Sequence, residues 1–90
     1  MNKSRWQVII HRKAERVLKR LDVDMLERIR RAIRGLASEP RPTGCKKLTV
    51  YENLYRIRVG DWRITYAIEQ DQLIVLLLAI SPRGGAYRNI

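Results

Sequence analysis

Arginines alternate with apolar residues on both sides of Gly60-Asp61, in the run Leu54-Tyr55-Arg56-Ile57-Arg58-Val59-Gly60-Asp61-Trp62-Arg63-Ile64-Thr65-Tyr66. Alternation at period two marks β-strands, and a two-residue Gly-X connection marks a tight hairpin. If Val59 faces Trp62 across that turn, Arg58 faces Arg63, and Arg56 lies on the same side. Like charges directly opposed on one sheet face weaken the pairing. A chain that keeps them has a use for them, and the fitting use is to hold an anion. A guanidinium offers planar, two-pronged donors matched to phosphate and stays charged at any ordinary pH. Arg83 follows the last apolar run, and Tyr87 stands four residues further on, on the same side if the tail turns helically. Several guanidiniums and one phenol are sufficient parts for cleaving an RNA phosphodiester. The substrate brings its own nucleophile, the 2′-hydroxyl. The protein need only orient it for in-line attack, stabilise the charged phosphorane and move protons.

These side chains need a sheet with one face left open. The spacing predicts a first strand over residues 5–10, with Trp6, Val8 and Ile10 on one side. Ala14, Val17, Leu18 and Leu21 fall at i, i+3, i+4 and i+7, one stripe of an amphipathic helix whose outer face carries Arg12, Lys13, Arg16, Lys19 and Arg20. Asp22-Val23-Asp24 breaks the pattern, and Asp24 with Glu27 resembles a capping box. Met25, Leu26, Ile29, Ile33 and Leu36 form a second stripe, closed before Glu39 by Pro40 and Pro42. So short a connection predicts an antiparallel helix hairpin.

Strands are expected over 46–50, 54–59, 62–69 and 72–81, with Gln70-Asp71 as a second tight turn. Leu73 to Ile80 is apolar throughout, which predicts a strand in the middle of the sheet with both faces covered. The order is β-α-α-β-β-β-β, an α+β fold. The helix hairpin packs on one face of a mostly antiparallel sheet, over Ile57, Val59, Trp62, Ile64, Tyr66 and Ile68. The other face carries Arg56, Arg58, Arg63 and Thr65.

Composition sets the outer limits. Ninety residues, 46% of them hydrophobic, suit one domain, 1–90, with a real core. Basic residues outnumber acidic ones by 19 to 9, a formal net charge of +10 that attracts polyanions. The longest apolar run is eight residues, too short to span a bilayer, and no apolar leader follows Met1, so no membrane partner and a cytoplasmic location are expected. A single His and a single Cys offer no metal constellation, and no dinucleotide or phosphate-loop motif occurs, so no cofactor is expected. His11, at a strand-to-helix junction, reads as structural, and Cys45 as a small loop residue. Arg28, Arg30, Arg31 and Arg34 read first as a solvated helix face, with phosphate-backbone contact as the other reading.

The hairpin run, the apolar strand from Leu73 to Ile80 and the tail Pro82-Arg83-Gly84-Gly85-Ala86-Tyr87-Arg88 together resemble the RelE/ParE toxin superfamily. The upstream helix hairpin fits it too, so the likeness covers nearly the whole chain. The resemblance implies a RelE-like fold and the toxin of a type II toxin–antitoxin pair. It implies a protein that enters the ribosomal A site, cuts mRNA there and is neutralised by an acidic, RelB-like antitoxin. Arg63 stands where the family has the arginine of its Tyr-Arg or Trp-Arg strand motif. Arg83 stands where it has the arginine after the last strand, and Tyr87 matches its C-terminal catalytic tyrosine. Arg56 and Arg58 stand where ribonuclease members often carry lysines.

That departure bears on the chemistry. Arginine is a poor general base, so Arg56 and Arg58 serve as electrostatic clamps, either of them assisting the leaving 5′-oxygen. Tyr87 becomes the base, its phenol made more acidic by neighbouring guanidiniums, while Arg83 stabilises the phosphorane. A second option is that Lys46 or Lys47 supplies the amine. Lys46, Lys47, Arg28, Arg31 and Arg88 are expected to bind RNA. Two rival readings of the same fold are a ParE-like gyrase poison and an RNA-binding module without catalysis.

Overall fold

A computed structural model describes residues 6–48 and 51–82 of the chain. Along it run β1 (Gln7–Ile10), α1 (Arg12–Leu18), α2 (Val23–Ser38), β2 (Lys46–Lys47), β3 (Leu54–Val59), β4 (Trp62–Glu69), a 3-10 turn (Gln70–Gln72) and β5 (Ile74–Pro82). Two helices pack on one face of a five-stranded sheet ordered β1-β5-β4-β3-β2. Only β1 and β5 run parallel; the other neighbours are antiparallel. The architecture is α+β, with the element order expected.

Each helix starts on a side-chain cap. His11 Nδ1 accepts the Lys13 amide at 3.1 Å, which gives the lone histidine a structural task. Asp22 Oδ1 accepts the Met25 amide at 2.8 Å, so the cap of α2 is Asp22 and not Asp24. The two acids stand two positions apart, and the turn after α1 decides which of them has non-helical backbone. α1 also stops at Leu18, a turn short of Leu21, which instead packs against the core from the connection. α2 ends at Ser38, as the prolines require.

The core joins Ala14 of α1 and Ile29, Ile33 and Leu36 of α2 to Ile57, Ile64, Tyr66, Ile68, Val75, Leu77 and Ile80 of the sheet. Three features differ from expectation. β5 is interior, but only Val75, Leu77 and Ile80 are buried; Ile74, Leu76 and Leu78 are half-exposed, and neither described helix packs over them. Its uniform apolarity reflects a bulge as well. Thr65 pairs with Ala79 and Tyr66 with Leu77, which leaves Leu78 as an extra residue and returns Ile80 to the core side. The β4–β5 connection is a 3-10 turn closed by Leu73 at φ 55°, so β5 starts at Ile74 rather than 72. β2 is two residues long, and positions 49–50 of the strand expected there lie outside the described residues.

Candidate functional site

The β3–β4 register is the one the turn chemistry dictates. Val59 pairs with Trp62 and Arg58 with Arg63, followed by Ile57 with Ile64 and Arg56 with Thr65. Gly60 supplies the turn with φ +60°, a conformation that L side chains rarely adopt. Period two then sends Ile57 and Ile64 into the core and Arg56, Arg58 and Arg63 to the open face.

β2 adds a fourth cation. Lys46 pairs with Arg56 and so shares the arginine face, whereas Lys47 pairs with Tyr55 and belongs to the opposite side. Gly44, Lys46, Arg56, Arg58 and Arg63 line one cavity of about 170 Å³. Arg58 Nε donates to the Gly60 carbonyl at 3.2 Å, which turns its guanidinium back over the hairpin end. Burial first, and the charge of Arg63 second, lower the Arg56 pKa from its ordinary value. Arg56 and Arg63 are half-buried, and Arg58 is exposed. A concave, multiply cationic patch of this kind holds a phosphate better than it holds a single carboxylate.

The segment that delivers Gly44 and Lys46 is tied down from below. The buried Tyr66 hydroxyl donates to the Pro40 carbonyl at 2.7 Å. Tyr55 stacks on Tyr66 with ring centroids 6.0 Å apart. Arg41 Nε donates to the Tyr55 hydroxyl at 3.1 Å, its guanidinium lies 5.2 Å from that ring's centroid, and its Nη2 donates to Gln70 Oε1 at 3.4 Å. Burial, then the Cys45 thiol beside it, then Tyr55 push the Tyr66 pKa up, with Arg41 opposing. Cys45 is a half-buried loop residue that abuts this tie, in keeping with its bland reading.

The structure thus gathers Arg56, Arg58, Arg63 and Lys46 and sets Lys47 apart. Arg28 reaches the hairpin end: a Cβ on Gly60 would meet its Nη atoms at 3.3 Å. Arg31, exposed on α2, is not part of the cavity lining. Arg83, Tyr87 and Arg88 lie outside the described residues. The sequence reading missed Gly44, although a glycine two residues before Lys46 and taking φ +93° is a usable signal. It also missed a groove of about 420 Å³ where β1 meets the helices, floored by Ile10, Leu18, Leu26 and Ile33 and rimmed by Glu15, Lys19, Arg30 and Arg34. Among the described residues no three His, Cys, Asp or Glu side chains gather into a metal site, and no helix is long and apolar enough to cross a membrane.

Comparison with known proteins places this geometry in a family. The family model for the ParE toxin of the type II toxin–antitoxin system parDE matches residues 8–87. A Methanocaldococcus jannaschii protein named as a RelE1 toxin is 32% identical over 88 residues, covering 94% of this chain and 98% of that relative. The crystal structure of the archaeal RelE–RelB complex from Pyrococcus horikoshii superposes with a TM-score of 0.80 at 29% identity, covering 90% of this chain and 98% of its own. The isolated Escherichia coli RelE toxin shares the fold at a TM-score of 0.78 with 14% identity, over 91% of this chain and 88% of its own. An alternating arginine hairpin under a helix pair, matched along almost its whole length, makes this chain a member of the RelE/ParE superfamily of type II toxin–antitoxin toxins.

Proposed function

We propose that this toxin is a ribosome-dependent endoribonuclease that cuts mRNA in the A site by attack of the 2′-hydroxyl on the adjacent phosphodiester. The observation that carries the reading is the convergence of Lys46, Arg56, Arg58 and Arg63 on one cavity of about 170 Å³. The scissile phosphate sits on the three guanidiniums, with Arg63 and Arg83 stabilising the phosphorane and Arg56 and Arg58 clamping its oxygens. Tyr87 takes the 2′-proton. Arg28 at the hairpin end, with Lys47, Arg31 and Arg88, contributes charge along the RNA backbone. So small a site reads little sequence, which leaves the ribosome to present the codon.

An acidic antitoxin is the expected partner. The formal charge of +10 favours it, and the Pyrococcus horikoshii relative was crystallised with its RelB. A gyrase poison, the reading that the parDE family name suggests, has no need of a cavity lined by four cationic side chains.

The test is to map 5′ ends of cellular mRNA shortly after induced expression. Breaks within codons are expected, while the purified protein leaves naked RNA nearly intact. Tyr87→Phe and Arg83→Ala should each restore growth. Gyrase–DNA lesions with intact mRNA would replace the nuclease by the gyrase reading, and unchanged toxicity in both variants would remove the catalytic assignment of the tail.

A further inference from the structure

We propose that Lys46 is the general acid of the reaction, giving its ammonium proton to the leaving 5′-oxygen of the RNA. The inference rests on the nuclease reading above and assigns the proton donor that reading lacks.

Among the described residues five line the cavity, one glycine, three arginines and Lys46, so of these Lys46 alone has an amine. Breaking the P–O5′ bond generates an alkoxide, a very strong base, unless a proton arrives as the bond breaks. A guanidinium holds its proton more tightly than an ammonium by roughly two or more pK units, so a lysine is the better donor. Lysine side chains carry their proton at neutral pH, which suits donation and not abstraction. The amine therefore belongs on the leaving-group side.

Register and topology agree. Lys46 shares the open face because it pairs with Arg56, and Lys47, paired with Tyr55, does not. The sheet order puts β2 at one edge, with β3 and β4 between it and β5. An in-line displacement sets nucleophile and leaving group on opposite sides of phosphorus. A phosphate on Arg56, Arg58 and Arg63 then has Lys46 on its β2 side, which leaves the β5 side for the attacking hydroxyl. The tie from Tyr66 to Pro40 holds the segment leading into β2, and with it the backbone that carries Lys46. The step balances: the O2′–P bond forms and the P–O5′ bond breaks. The 2′-proton passes to the general base of the reading above and the Lys46 proton to O5′. The products are a 2′,3′-cyclic phosphate and a 5′-hydroxyl, and solvent reprotonates the amine.

The experiment uses mRNA carrying a single bridging 5′-sulfur at the cut site, programmed into ribosomes, beside the all-oxygen mRNA. A thiolate leaves without a proton, so the sulfur substrate needs no acid. Lys46→Gln should slow single-turnover cleavage of the oxygen substrate by about 100-fold or more and leave the sulfur substrate near the wild-type rate. Lys46→Arg, which keeps the charge, should also be slow on oxygen only. Equal slowing on both substrates would make Lys46 a phosphate clamp, and no slowing on either would leave it outside the reaction. Wild-type protein that cuts neither substrate would overturn the nuclease reading itself, and the assignment of Lys46 with it.

Discussion

The β3–β4 hairpin carries two chemistries on its two faces, built from alternate residues of the same strands. On the covered face Ile57 pairs with Ile64 beneath α2, and Tyr66 closes the core with a satisfied hydroxyl. On the open face Arg58 pairs with Arg63, a juxtaposition that weakens the sheet. The covered face gains stability from burial of apolar area. The open face gives some of it up to concentrate positive charge around a cavity of about 170 Å³. One side of the hairpin is therefore tuned for folding and the other, on our reading, for catalysis. Substitutions on the two sides should separate accordingly.

The largest effect is expected on the open face. Arg63→Ala should reduce cleavage of ribosome-bound mRNA by about 100- to 1,000-fold, measured in single-turnover assays. Its urea midpoint should move less than that of any core truncation, and a collapse of stability without a change in rate would break the division. On the covered face Ile64, fully buried, supplies the converse. Ile64→Ala should cost about 2–5 kcal/mol in equilibrium unfolding, with the rate per folded molecule retained at low temperature.

Tyr66→Phe sharpens the comparison, because this core residue also holds the segment that delivers Lys46. Loss of its bond leaves the buried Pro40 carbonyl unpaired, at a cost of about 1–3 kcal/mol. It carries a pH signature too. The folded-state pKa of Tyr66 is raised, by burial first and then by Cys45 and Tyr55. The native state therefore keeps a proton that the unfolded chain loses above about pH 10. Its contribution is intact below that pH and declines as pH rises toward the folded value. Urea titrations from pH 8 to 11 should show this alkaline loss in the wild type and a shallower one in Tyr66→Phe; equal slopes would show that Tyr66 is not its source. The smallest effect lies away from both faces. Asp22→Ala removes the α2 cap and should cost about 1 kcal/mol without touching activity, whereas the same change at Asp24 should be near neutral.

Much of this architecture is legible in the chain because its signals are local. Two residues between alternating runs leave one sensible register, so the pairing of Arg58 with Arg63 follows from Gly60-Asp61 alone. The two helical stripes follow from a period of 3.6, and Pro40 and Pro42 mark where the second stops. The missed features involve a partner distant in sequence or a signal too short to count. Asp22 and Asp24 are equivalent caps until the preceding turn chooses between them. A bulge at Leu78 is invisible in a strand whose residues are all apolar. The pairing of β1 with β5 joins the two ends of the described chain, and neither strand names the other.

By itself, then, the sequence determined that a hairpin would gather guanidiniums on one face of an α+β domain, because side-chain direction along a strand alternates with fixed period. It left open which of two adjacent lysines would join them. In a strand of two residues there is no alternation to read, so only the pairing of Lys46 with Arg56 and of Lys47 with Tyr55 could decide. The segment leading into that pairing is held by a tyrosine hydroxyl that reaches a carbonyl 26 residues away. Contacts across such a separation exist only once the chain has closed on itself.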